Sequence, residues 1–123
     1  MTTAQDLASE KYVLLTTFRK NGAAVATALW VVPDGEGAAA WTSGDSGKVK
    51  RLRRQPRATL SPCSLRGTPT GPAIEVSVKI EGGEVAADVR RRIAKKYRLL
   101  GPVITGWENR GKDERVALLI RDA

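Results

Sequence analysis

Tyr12-Val13-Leu14-Leu15-Thr16-Thr17-Phe18-Arg19 is rich in β-branched and aromatic residues, Lys20-Asn21-Gly22 interrupts it, and Ala23-Ala24-Val25-Ala26-Thr27-Ala28-Leu29-Trp30-Val31-Val32 resumes it. An Asn-Gly pair between two such runs is a strong hairpin signal, so strands over 12–19 and 23–32 joined by a type I′ turn are predicted. Pro33-Asp34-Gly35-Glu36-Gly37 is a second turn cluster, and Ala38 to Ser43 reads as a third strand. These three pieces predict an antiparallel meander.

The pattern continues outward from there. Lys48 to Arg54 reads as a short basic helix whose thin apolar stripe is Val49 and Leu52, ended by Pro56. Arg57 to Cys63 returns to strand, and Leu65 to Pro72, with two glycines and two prolines, reads as a loop. Ile74, Val76, Val78 and Ile80 alternate strictly with Glu75, Ser77, Lys79 and Glu81, which predicts a strand with one wet face. Beyond Gly82-Gly83, Asp88 is placed as the N-cap of a helix whose one face is Val89, Ile93, Tyr97 and Leu100, stopped by Gly101-Pro102. Val103 to Asp113 reads as a connector carrying Trp107, and Arg115 to Ile120 as a last strand. Residues 1–10 read as a short helix or a tail. Dense hairpins with few helices predict a mainly β protein with short helices, an antiparallel barrel, in one domain over 1–123.

Composition narrows the chemistry. The 123 residues include no histidine, so Ser-His-Asp and Cys-His nucleophilic sites and imidazole-based metal sites have no ligand or base here. Any hard chemistry then belongs to a bound cofactor. A lone cysteine, Cys63, forms no intrachain disulfide and fits a reducing, cytoplasmic setting. No 18-residue apolar run predicts a membrane span, and 1–11 lacks the basic-then-apolar pattern of a secretory leader. The net charge of +8 implies an anionic partner: nucleic acid, an acidic surface, or a phosphorylated or polycarboxylate small molecule.

The chemistry-bearing stretch is Trp41-Thr42-Ser43-Gly44-Asp45-Ser46-Gly47-Lys48-Val49-Lys50-Arg51. It runs from a strand end through hydroxyls and glycines into a helix N-terminus, where free N–H groups and the helix dipole favour an anion. It is either such a site or a solvated strand-to-helix turn. A phosphate-binding Walker loop is excluded, because that motif needs glycine where Thr42 stands and Ser or Thr where Val49 stands.

The run from Thr42 through Gln55-Pro56-Arg57 resembles the flavin-binding segment of the pyridoxamine 5′-phosphate oxidase-like split barrels. With the Leu29-Trp30-Val31-Val32 and Leu60-Ser61-Pro62-Cys63 strands, it resembles most the actinobacterial branch that uses the deazaflavin F420 in place of FMN. The resemblance implies an FMN-binding-type split antiparallel β-barrel. It implies that Thr42, Ser46 and Lys48 hold the cofactor phosphate, with Ser43 and Gly47 beside them. Thr27, Ala28, Leu29 and Trp30 would lie along the ring, with Ser61, Pro62 and Cys63 flanking it. Lys50, Arg51 and Arg54 would suit an oligoglutamate tail. Two departures from the FMN-using oxidases matter: Gly47 stands where they place an arginine, and Ala26 to Val32 lacks their basic residues. Both disfavour a phosphate monoester and are compatible with the diester of F420.

The leading expectation is therefore an F420-dependent oxidoreductase that reduces an unsaturated or conjugated small molecule, as a homodimer with its sites at the interface. The alternatives are an FMN-binding oxidoreductase, a non-catalytic flavin or F420 carrier, and a basic nucleic-acid-binding barrel. Three Trp, two Tyr and one Phe, scattered along the chain, argue against the last, which needs aromatics grouped on one sheet face. Arg90, Arg91, Arg92, Lys95, Lys96 and Arg98 read as a solvated helix face, Trp30 as core, and Cys63 as a small buried hydrophobe. No catalytic acid is assigned.

Overall fold

A computed structural model describes residues 2–97 and 115–123. The expectations for Arg98, Leu100, Gly101-Pro102 and Trp107 lie outside the described residues. The elements in chain order are α1 (Ala4–Leu7), β1 (Val13–Phe18), β2 (Ala24–Leu29), β3 (Val32–Asp34), β4 (Gly37–Ser43), α2 (Gly47–Arg54), β5 (Arg57–Pro62), β6 (Ile74–Glu81), α3 (Gly83–Lys96) and β7 (Arg115–Asp122). The chain is mainly β, as its sequence pattern predicts. Among the described residues no helix is long and apolar enough to cross a membrane.

The first hairpin forms, but not through a type I′ turn. That turn needs a positive φ at both central residues, and no described non-glycine residue has one. Gly22 alone is left-handed, at φ +87. Its N–H donates to the Arg19 carbonyl at 2.8 Å, and the Arg19 N–H donates to the Ala23 carbonyl at 2.9 Å. The result is a three-residue loop with glycine at the bulge position.

The seven strands form one antiparallel sheet in the order β2-β1-β5-β6-β7-β4-β3. The predicted meander is thus corrected. β2 pairs with β1, β3 pairs with β4, and the two pairs lie at opposite edges of the sheet. Only Trp30 and Val31 separate Leu29, the end of β2, from Val32, the start of β3. A connection that short brings the two edges together, so the sheet curls into a barrel. The closure is incomplete. Leu29 lies three residues before Val32, and Thr42 three after its partner Ala39, yet no ladder joins β2 to β4. This unpaired seam is the split in the barrel.

Alternation sorts the side chains. Val13, Leu15, Leu60, Val76, Val78, Val116, Leu118 and Ile120 fill the interior with Val49 and Leu52 of α2. Each large aliphatic side chain buried this way contributes roughly 1.5–3 kcal/mol. Ala39, Trp41 and Ala117 face the other way and pack under Ala86, Val89 and Ile93 of α3. α3 begins at Gly83, well before the predicted start after Asp88, with Gly82 as an N-cap that makes no side-chain cap bond. Asp88 is therefore not the cap. It sits within α3 and pairs with Arg91 and Arg92 at 3.4 and 3.0 Å. α1 is a single turn closed by a reciprocal capping box between Thr3 and Asp6.

Candidate functional site

The segment 42–54 is built at the end of β4. Thr42 is buried, paired with Val116, and shares the inward face of Ala38 and Ala40. Ser43 pairs with Arg115 across the ladder, and its hydroxyl accepts the Asp45 N–H at 3.3 Å. Ser46 is the N-cap of α2, its hydroxyl accepting the Val49 N–H at 3.4 Å. The helix starts at Gly47, one residue before the predicted start.

Charge at this helix start is the site's distinguishing feature. Burial, and then the Arg51 guanidinium, push the Lys48 ammonium below the ordinary lysine range. Among the described residues no acid pairs with Lys48. Arg51 folds back over the first turn: a β-carbon at position 47 would lie 2.8 Å from Arg51 Nη1. The space beside Gly47 is thus filled by a guanidinium from the next turn. The missing arginine at 47 does not remove the second cation, so that departure no longer argues against a phosphate monoester. The lack of basic residues in β2 still does.

Arg51 also ties α2 to the sheet. Its Nε donates to the buried Thr17 hydroxyl at 2.6 Å, and Arg54 Nη2 donates to the Phe18 carbonyl at 2.6 Å. Of the three residues predicted to face a polycarboxylate, Arg51 and Arg54 therefore already serve β1, whereas Lys50 is exposed. Thr17 pairs with Val25, so Arg51 reaches the rim of β2 two residues from Thr27.

The predicted ring-side residues are gathered around β1. Val13 pairs with both Leu29 and Pro62, Leu14 with Ala28 and Ser61, and Leu15 with Thr27 and Leu60. Strands two apart lie roughly 10 Å from each other. Thr27 and Leu29 share the inward face of Leu15 and Val13 and are only half-buried, whereas Ala28 is exposed. Trp30 lies past the end of β2, stacked on Tyr97 with ring centroids 4.7 Å apart and planes 11° apart. It is half-buried rather than core. Cys63 is buried at a bridge to Pro69, and burial pushes its thiol up, which suits a structural role rather than a nucleophile. The two predicted groups thus flank the seam: 27–29 lie on β2 with Trp30 just past its end, and 42–48 run from the end of β4 into α2.

Several residues near this arrangement escape sequence reading. Thr17 looks like any strand threonine until Arg51 reaches it. Arg115 enters through the β4–β7 register, with its guanidinium 5.5 Å from the Trp41 ring centroid. Arg92, expected to be solvated, donates to the Pro33 carbonyl at 2.7 Å and to Asp34 at 2.9 Å. An open depression of about 460 Å³, lined by Pro56, Ser77, Val78, Lys79, Leu119 and Arg121, includes none of the predicted site residues. Its cations are compensated: Arg121 pairs with Asp34 and Lys79 with Glu81. Among the described residues no cluster of acids and cysteine is suited to a metal ion.

Residues 2–120 match the family model of pyridoxamine 5′-phosphate oxidase. The chain belongs to this family of split β-barrels. No curated protein matches it. Among solved structures, it is similar to the haem storage protein HutZ of Vibrio cholerae at 12% identity and a TM-score of 0.69, covering 95% of this chain and 84% of that one. A protein described as an F420 reductase matches at 20% identity and a TM-score of 0.66, covering 97% and 92%. A conserved hypothetical protein of Mycobacterium tuberculosis matches at 23% identity and a TM-score of 0.65, covering 94% and 79%. At these identities the likeness shows the fold.

Proposed function

We propose that the chain binds the deazaflavin F420 along the seam between β2 and β4, and that it is an oxidoreductase acting on an unsaturated or conjugated small molecule. The observation that carries this reading is the half-buried Lys48 beside Arg51 at the N-terminal turn of α2, with no carboxylate paired to Lys48 among the described residues. A desolvated ammonium with a guanidinium beside it at a helix N-terminus is unfavourable without an anion and well suited to a phosphate. Similarity to an F420 reductase supports the choice of cofactor.

When bound, the deazaflavin supplies a hydride from its C5 position. The chain's own residues bind and orient. Lys48 and the first-turn N–H groups of α2 would hold the phosphate, Thr42 and Ser43 would line its approach, and Lys50 would meet carboxylates of the tail. The half-buried Thr27 and Leu29 would form the ring-side wall, with Pro62 across β1. The exposed β2 edge, with Ala24, Ala26 and Ala28 turned outward, leaves room for a second copy to complete the substrate pocket as a homodimer.

FMN is the second reading, favoured by the Arg51 guanidinium that fills the space beside Gly47. A haem reading, suggested by the likeness to HutZ, lacks any imidazole, since this chain holds no histidine. Titration with F420 and with FMN, followed by tryptophan emission, tests the proposal, together with turnover of the reduced cofactor against a panel of conjugated enones. Micromolar binding of F420 with turnover is expected. Binding without turnover would indicate a carrier, and oligonucleotide binding with no flavin binding would overturn the reading.

A further inference from the structure

We infer that Lys96 and Tyr97 form a clamp on the Trp30–Val31 joint and are positioning residues for the ring-side strand. The clamp is a property of the fold. Its role in cofactor affinity rests on the reading of the seam given above.

The joint needs such a device. It carries the chain from one edge of the sheet to the other, and neither of its residues belongs to a strand. Val31 is completely buried, so its N–H and C=O must find partners. Both come from consecutive side chains at the end of α3. The Val31 N–H donates to the Tyr97 hydroxyl at 3.1 Å, and the Val31 carbonyl accepts from Lys96 Nζ at 2.7 Å.

Lys96 spends its whole donor capacity this way. An ammonium has three N–H groups, and Nζ meets three backbone carbonyls: Ala8 at 2.9 Å, Glu10 at 2.7 Å and Val31 at 2.7 Å. The Tyr97 hydroxyl donates in turn to the Lys11 carbonyl at 2.6 Å. The Tyr97 ring carries the Trp30 indole. Two neighbouring residues therefore fasten the segment 8–11, the joint and the indole to one helix end. A surface lysine does not give up its freedom to serve three carbonyls unless the geometry they define is held in common. What that geometry fixes is the exit of β2: Leu29 adjoins Trp30, and Thr27 is two residues further back on the same face.

The test combines amide hydrogen exchange by NMR with cofactor titration of the full chain. Tyr97→Phe keeps the ring stack and removes the acceptor of the Val31 N–H. Val31 exchange should accelerate roughly 100-fold while Leu60 and Val78 change by less than about threefold. Lys96→Met should weaken binding of whichever of F420 or FMN the wild type takes by about tenfold, with Lys96→Arg recovering most of it. Should Lys96→Met fail to fold, Lys96→Gln takes its place. Unchanged Val31 exchange in Tyr97→Phe overturns the clamp. Fast Val31 exchange with unchanged affinity in the Lys96 variants overturns the positioning role. A wild-type chain that binds neither cofactor overturns the seam reading and the positioning role with it, while the clamp still stands or falls on Val31.

Discussion

Arg51 Nε donates to Thr17 Oγ1 across 2.6 Å, joining the helix that follows β4 to the strand that pairs with β2. This bond connects the two sides of the proposed site, beside the Arg54–Phe18 hydrogen bond and above Val49 and Leu52, which α2 sends into the core.

A charged hydrogen bond to a buried hydroxyl is worth about 1.5–3 kcal/mol. Arg51→Met should therefore lower unfolding stability by about that amount, measured by urea titration. Thr17→Val alone should cost a similar amount. The double variant should cost clearly less than the sum, since the two share one interaction. Strict additivity would show that the bond contributes nothing.

Gly37 opens β4 beside the β7 backbone. A β-carbon there would collide with the Ile120 carbonyl, a backbone atom that cannot swing aside. Gly37→Ala should destabilise by about 3 kcal/mol or more, the upper range for overpacking. Gly22→Ala, with nothing near its β-carbon, meets only the penalty for a positive φ. It should cost about 1 kcal/mol. Urea midpoints compare the two directly.

Asp34 predicts an acid limb of stability. Burial acts to raise its carboxyl, but the hydrogen bonds and charges of Arg121 and Arg92 outweigh that and hold it below the ordinary value of 3.8. A depressed carboxylate stabilises the fold fully above its unfolded pKa, and that contribution is lost as pH falls through the folded one. Wild-type stability should therefore drop on acidification below about pH 4. Asp34→Asn should be less stable at pH 7, with a shallower slope below pH 4. Parallel slopes would show that the Arg92–Asp34–Arg121 bridge does not form.

The strands were legible because alternation writes them directly: Ile74 to Glu81 matches β6 residue for residue. The strand-to-helix segment from Thr42 to Arg54 was legible because its turn, cap and helix are local. What escaped depends on distant partners. Nothing near Asn21 says that its φ stays negative, and a Gly82 cap leaves no side-chain mark. Trp30, at the break after β2, stacks on Tyr97, a partner far along the chain. Arg51, Arg54, Arg92 and Lys96 looked like free surface cations because their acceptors, mostly backbone carbonyls, carry no signature in sequence.

Lys48 tests the central claim most directly. Its ammonium is depressed by burial and by Arg51, so it costs the cofactor-free fold stability below its unfolded pKa, a cost relieved as pH rises toward 10.5. Lys48→Met should therefore melt no lower than wild type at pH 7 without cofactor, and should bind F420 or FMN more weakly by about 1.5–3 kcal/mol, roughly 10- to 100-fold. Equal cofactor affinity in Lys48→Met and wild type, in a variant that melts normally, would contradict an anion site at the start of α2.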